Sequence, residues 1–295
     1  MNTLLILLAL MGGFGVGVLV NLLADYLPAQ RLYREARASP FVSKSALPAI
    51  PHFLPHYANT PDRPAPIYTW SGLVARLSGK GTQFSLPRWT RRIAVEVGLA
   101  LAYTWLVATY GDSPLILSFF LFYAPALILI AVIDIEHRWI LVETLWPIAV
   151  VALIDAGFSG RLSLVSALRG ALIGFGIMVA VYLLGQLFRQ GSGALGRRIG
   201  RTVFGSGDVW LGALGGLLIG WPESGIALLL AVFAAAIGAI VVIGSNVARK
   251  KRYRGGAAIP YGPYLVFGIA ALLFTPWLVG GFVSAWLNFF WLLRH

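Results

Sequence analysis

The residues best suited to chemistry are two aspartates set at the ends of apolar runs. Eleven acidic residues serve a chain of 295, and eight of them (Asp25, Glu96, Asp134, Glu136, Glu143, Asp155, Asp208 and Glu223) lie in hydrophobic runs or at their ends. An ionisable group so placed is costly in lipid and marks a functional position by default. Asp134 closes one run, in Ala131-Val-Ile-Asp-Ile-Glu-His-Arg138, and Asp208 opens another, in Phe204-Gly-Ser-Gly-Asp-Val-Trp210. Two close carboxylates in a poorly solvated site cannot both ionise easily. They share one proton, so one acts as general base and the other as general acid. Such a pair titrates as a unit and can activate water against an amide. Asp208 stands where a helix N-terminus favours an anion and Asp134 where a C-terminus does not, so the charge is expected on Asp208 and the proton on Asp134. Gly205 and Gly207 remove side chains just before Asp208, which permits positive φ and leaves room for an extended substrate backbone beside Gly205, Ser206 and Gly207.

The elements that must position these carboxylates are membrane helices. The chain is 58% hydrophobic, with mean hydropathy +0.80 and only 12% charged residues, so the bilayer is its natural solvent. Runs of about 20 apolar residues place spans near 3–26, 93–110, 114–134, 140–158, 164–188, 208–221, 223–247 and 261–292. The expected fold is all-α: a polytopic bundle of about eight spans. Its expected parts are a first span (1–27), a cytoplasmic loop domain (28–92) and a membrane core (93–295). The first run lacks a basic n-region and reads as a retained span. The sixth is short and Gly-rich, and Pro276 is expected to kink or split the eighth. Two crossings separate Asp134 from Asp208, so parity returns both to one face.

The net charge of +12 has the same origin. With eight spans, 20 of the 23 Lys and Arg fall on one side, which the positive-inside rule makes cytoplasmic. The basic clusters therefore serve topology and lipid head groups, and no nucleic-acid partner is implied. Asp112, Asp155 and Glu223 fall toward the outer face, whereas Asp25, Glu96, Asp134, Glu136, Glu143 and Asp208 fall toward the cytoplasmic one. Cysteine is absent, which excludes disulfides, a thiolate zinc site and a cysteine nucleophile. His52 and His56 are too few to replace thiolates, so no metal is expected.

Four ordered motifs resemble the type IV prepilin peptidase family, whose catalytic motif includes Gly-x-Gly-Asp. They are Gly17-Val-Leu-Val-Asn-Leu-Leu-Ala-Asp-Tyr-Leu-Pro28, Ile133-Asp134, Gly205-Ser-Gly-Asp208 and Ile259-Pro-Tyr-Gly-Pro263. The family's last motif reads Ile-Pro-Phe-Gly-Pro. Val95-Glu96 also fits the Val-Glu that follows the family's cytoplasmic loop. The resemblance implies an aspartic endopeptidase that uses Asp134 and Asp208 and removes a short basic leader from prepilins or pseudopilins at the cytoplasmic face of the inner membrane. Many members also methylate the new N-terminus with S-adenosylmethionine, and their products feed type IV pilus or type II secretion assembly. Glu143 and Glu96, if inward-facing, would hold the basic leader. The chain departs from the pattern in three places. Its loop lacks the Cys-x-x-Cys pairs, Ile140-Leu-Val-Glu-Thr-Leu145 lacks the family's proline, and Arg31 follows Pro28 where the family arginine precedes it.

Three other readings suit parts of the pattern. A presenilin-like Gly-x-Gly-Asp protease would carry Tyr-Asp at the first site and Pro-Ala-Leu near the end, whereas this chain has Ile133-Asp134 and no Pro-Ala-Leu after Asp208. A transporter would place its ionisable groups near the midplane in repeated halves, whereas these gather toward one face. A non-catalytic prepilin-binding assembly protein would not need both aspartates.

Overall fold

The computed structural model describes residues 3–39, 56–57, 60–64, 70–77, 86–194, 205–248, 260–277 and 280–281. His52, Ile259 and residues 40–55, 58–59, 65–69 and 78–85 of the 28–92 segment lie outside these residues, as do the basic stretches 197–201 and 249–254. Cα packing divides the chain into two units, Met1–Ile133 and Asp134–His295.

The first unit is built on α1 (Thr3–Ala38), α3 (Leu86–Tyr110) and most of α4 (Pro114–His137), with a short antiparallel pair β1 (His56–Tyr57) and β2 (Thr60–Pro64) and a six-residue α2 (Gly72–Leu77) between α1 and α3. The expected boundary at residues 27 and 28 falls inside α1. Pro28 is buried within that helix, which runs on for ten residues with an Arg31–Glu35 pair on its surface at 2.9 Å. Such an i,i+4 pair adds only a few tenths of a kcal/mol. Small residues let α1 and α3 approach: a Cβ on Gly13 would lie 2.5 Å from the Leu99 carbonyl oxygen, and one on Gly17 would lie 2.6 Å from Glu96 Cα. On the same face of α1, four and eight residues further on, are Asn21 and Asp25. Asn21 donates to the Arg92 carbonyl at 3.0 Å, and Asp25 pairs with Arg91 at 2.9 Å and Arg92 at 2.6 Å.

Glu96 corrects a sequence expectation. It is fully buried, and its carboxylate is occupied by protein: Oε1 accepts from Gly72 N at 2.8 Å, and Oε2 accepts from Leu73 N at 3.1 Å and Ser71 Oγ at 2.8 Å. It caps α2 from a neighbouring helix and so satisfies amides that a helix start leaves without partners. Its carboxylate is not available to a substrate leader. Substituting Glu96→Ala strands those donors in a buried place, so the first unit should lose about 2–3 kcal/mol. The measurement is thermal unfolding together with limited proteolysis at residues 70–77. Unchanged protection there would show that the carboxylate is not what holds α2.

The second unit contains α5 (Val142–Phe158), α6 (Leu164–Ala194), α7 (Ser206–Ile219), α8 (Glu223–Ala248) and α9 (Gly262–Phe274). The chain is a multi-pass membrane protein. Five helices (α1, α3, α4, α6 and α8) are long and apolar enough to cross a bilayer, and they turn large apolar side chains outward. Leu172 is 72% exposed and Ile240 is 68% exposed, which suits lipid and not water. The other three expected spans coincide with shorter helices. The 14 residues of α7 rise about 21 Å, less than the hydrocarbon core. Its sides are covered by α5, α6, α8 and α9, so ten of its residues from Asp208 to Ile219 are buried. The last expected span breaks where a proline predicts. Thr275, with φ −129°, caps α9 immediately before Pro276, because the residue before a proline is pushed out of the α region.

Candidate active site

Both aspartates lie in the second unit, at one end of its helices. Asp134 sits in the last turn of α4. That helix stops at His137, and Arg138 takes a left-handed conformation, φ 56°. This position usually goes to glycine. Asp134 is 5% exposed, and its Oδ2 accepts a hydrogen bond from Gly262 N at 3.1 Å. Gly262 opens α9 after the Tyr261 cap, with Pro263 supplying the fixed φ of a helix start. Glycine is required there because a Cβ would lie 2.6 Å from Asp134 Oδ2 and 2.9 Å from its Cγ. The Ile259-Pro-Tyr-Gly-Pro263 motif thus has a local purpose: it brings one backbone N–H against one carboxylate. Substituting Gly262→Ala should push that carboxylate out of place and lower turnover at least about tenfold, since misplacing a reacting group by even 1 Å is costly. Peptidase kinetics with a folding control by size exclusion would check it.

Asp208 is the third residue of α7 and is 8% exposed. Its Oδ2 accepts from the backbone N–H of the cap residue Gly205 at 3.0 Å. This is the half of a capping box in which the third residue reaches back to the cap. The other half needs a side chain that glycine lacks. The carboxylates of Asp134 and Asp208 interact electrostatically, and Asp208 interacts in the same way with Tyr261. In each aspartate Oδ2 is held by a backbone N–H, while Oδ1 takes no hydrogen bond among the described residues.

The glycines before Asp208 behave differently from one another. Gly205 adopts φ −86°, so no left-handed conformation is used. Its exposed face is open, since a Cβ there would meet nothing closer than Asp208 Oδ2 at 3.6 Å. Ser206 is exposed beside it. The space at Gly207 is already filled by the chain itself: a Cβ would lie 2.6 Å from Ile140 Cβ and 3.1 Å from its carbonyl oxygen. Room for a substrate strand therefore exists at Gly205 and Ser206 and not at Gly207, whose lack of a side chain seats the chain after α4 against α7. Glu143 is exposed in the first turn of α5 and has no hydrogen bond to either aspartate.

Sequence reasoning did not single out Gly262 and Tyr261 as site residues. The signal was present in the Tyr-Gly-Pro spacing, which reads as a helix start, but a backbone donor leaves no titratable side chain to notice.

Depth and orientation of Asp208 depend on α6. A Cβ on Gly174 would lie 2.5 Å from the Gly212 carbonyl oxygen, and one on Gly170 would lie 2.8 Å from the Gly220 carbonyl carbon. Backbones touch directly, as small residues allow in membranes. At the far end, Arg161 bridges Asp155 at 2.6 Å and the Leu218 carbonyl at 2.9 Å, which ties the α5–α6 turn to the end of α7. Between α5, α6 and α7 runs an apolar cavity of about 140 Å³, lined by Val142, Leu145, Trp146, Trp210 and Leu214 among others.

Residues 121–242 match the Type IV leader peptidase family. The chain is 29% identical over 200 residues to a prepilin leader peptidase/N-methyltransferase of Dichelobacter nodosus, covering 68% of this chain and 62% of that protein. It is 27% identical over 294 residues to a protein of the same description from Stutzerimonas stutzeri, covering 95% and 94%. No solved structure matches the chain. Over these stretches the chain is similar to type IV leader peptidases, and it spans 62% of the length of the first of these relatives.

Proposed function

We propose that the chain is an aspartic endopeptidase that cleaves the basic leader from type IV prepilins or pseudopilins at the cytoplasmic face of the inner membrane, with Asp134 and Asp208 as its catalytic pair. The observation that carries this is the shared arrangement of the two side chains. Both are buried, both are anchored through Oδ2 by one backbone N–H, and in neither does Oδ1 take a hydrogen bond among the described residues.

The chemistry follows from one shared proton. Asp208, at a helix N-terminus, takes a proton from water as the water oxygen bonds to the scissile carbonyl carbon. Asp134 gives its proton to the carbonyl oxygen. The resulting gem-diol collapses, the C–N bond breaks, and the proton held by Asp208 passes to the leaving nitrogen while Asp134 recovers its own. The exposed Gly205–Ser206 edge receives the substrate backbone, and Glu143 meets the basic leader. Pilus or secretion machinery would consume the product. Methylation would use S-adenosylmethionine, but the cavity beside α7 is lined by apolar side chains and does not fit its ribose and sulfonium, so methyl transfer enters no step above.

The test is cleavage of a prepilin from the same host by the purified chain in liposomes, with products weighed by mass spectrometry. The expected product is the substrate less its leader. Failure to cut any leader-bearing prepilin would overturn the proposal. Added S-adenosylmethionine shows in the same spectrum whether a methyl group is transferred.

A further inference from the structure

We infer that α2 is a re-entrant foot set in the edge of the bilayer, with Val74 and Leu77 against lipid acyl chains and Glu96 holding it at that depth. The depth follows from α3. A bilayer core takes about 20 helical residues, and counted back from Tyr110 they begin at Arg91, close to the start of the apolar span Trp89–Tyr110. Contacts with α1 agree. Asp25 pairs with Arg91 at 2.9 Å and Arg92 at 2.6 Å, so the charges of both helices meet at this boundary. Asn21 and Gly17 lie one and two turns further in, and both reach Glu96: the Asn21 amide at 3.4 Å, and a Cβ on Gly17 at 2.6 Å from Glu96 Cα. Glu96 therefore sits about 7 Å inside the boundary. The start of α2 is bonded at this level, because Ser71 Oγ, Gly72 N and Leu73 N all donate to the Glu96 carboxylate at 2.8–3.1 Å. Backbone groups at such a depth have no water, so protein must satisfy them.

The faces of α2 fit this place. Gly72 and Ala75, three residues apart, are buried. A Cβ on Gly72 would lie 2.6 Å from Arg92 Cβ and 3.3 Å from Ile93 N, so this face is pressed onto α3. Val74 and Leu77 are on the opposite face and are 38% and 79% exposed. On a water-facing surface two such residues would need no explanation, but at the depth of Glu96 the surrounding solvent is hydrocarbon. Arg76 points elsewhere: its guanidinium lies 4.3 Å over the Trp89 ring. Trp89 is two residues outward of Arg91, at the level where membrane tryptophans gather. Arginine can lay its stem along apolar surface there while its charge reaches the head groups. Apolar side chains toward acyl chains and a cation toward head groups are the pattern of an interfacial helix.

The chain has no cysteine, so a single introduced cysteine can carry a fluorophore without background. The full chain is labelled at Leu77→Cys, Glu35→Cys or Leu101→Cys and placed in phosphatidylcholine–phosphatidylglycerol liposomes. Glu35 is exposed on α1 beyond Pro28, and Leu101 is 61% exposed on α3 well inside its span. Lipids spin-labelled high on the acyl chain should quench the label at 77 strongly, and iodide on both sides of the membrane should quench it weakly. Iodide should quench position 35, and lipids spin-labelled deep in the chain should quench position 101. In a Glu96→Ala background, position 77 should lose lipid quenching and gain iodide quenching, while an unchanged position 101 reports an intact span. Val74→Cys supplies the same comparison if a label at 77 disturbs the fold. Iodide quenching at 77 equal to that at 35 would put α2 in water and overturn the inference. Protection from both quenchers would also overturn it, since protein would then cover this face. Lipid quenching at 77 that survives Glu96→Ala would overturn Glu96 as the anchor. No readout requires peptidase activity, so these outcomes are separate from those that test the proposed function.

Discussion

Asp134→Asn and Asp208→Asn should each lower prepilin cleavage by about 10³-fold or more while leaving the melting temperature unchanged or higher. A proton exchanged in the transition state is worth about 10²–10⁴ in rate, and an amide cannot exchange it. The double variant should be no worse than the poorer single one, because groups that act as a unit are not additive. The stability arm separates catalysis from architecture. Asparagine keeps the shape and an acceptor oxygen for Gly262 N or Gly205 N, each now at about 3 Å from its carboxylate. It also takes one carboxylate out of a buried pair that shares a single proton, and sites built for chemistry tend to cost the fold stability. An architectural pair would give the reverse pattern, a lower melting temperature with activity lost in proportion to folding. Parallel measurement of kcat/KM and thermal unfolding on the four proteins decides between them, and retained activity in either single variant would remove that aspartate from the mechanism.

How much of this was legible beforehand depended on whether a residue's reason was local. Each expected span falls on a helix over its described residues, the last of them only up to Phe274, since long apolar runs have few other solutions in a bilayer. The break before Pro276 was legible for the same reason. Asp134 and Asp208 stood out because a carboxylate at the end of an apolar run needs an explanation, and parity alone put them on one face. Glu96 met the same criteria and has a different reason: it caps α2, a helix of six residues with no periodicity to announce it. A charge near a membrane face looks alike in sequence whether it holds a substrate or an amide. Gly207 was ambiguous in the same way. Its missing side chain could admit a visitor or a neighbour, and the neighbour, Ile140, comes from 67 positions earlier. Gly262 was hidden because it contributes only a backbone N–H, and the carboxylate it meets lies 128 residues away.

The same distinction makes two glycine substitutions diverge sharply in effect. Gly216 on α7 and Gly176 on α6 have equal local cost, since glycine within a helix is about 1 kcal/mol worse than alanine. Their surroundings are opposite. A Cβ on Gly216 would run into the Gly170 carbonyl group and lie 2.8 Å from Ala171 N, all backbone of α6, whereas a Cβ on Gly176 meets nothing within 4 Å. Backbone cannot rotate away as a side chain can, so Gly216→Ala must force α6 and α7 apart, at a cost of about 2–3 kcal/mol after the gain in helix propensity. Gly176→Ala should be neutral or stabilising by up to about 1 kcal/mol. The consequence reaches the chemistry because α7 carries Asp208 eight residues before Gly216 on a helix held mainly by this seam. Gly216→Ala should therefore lose most cleavage even below its melting temperature, and Gly216→Leu should not assemble. Thermal unfolding in detergent and cleavage rates for the two alanine variants supply the comparison. Equal behaviour of Gly176→Ala and Gly216→Ala would mean that the α6–α7 backbone contact does not position the site.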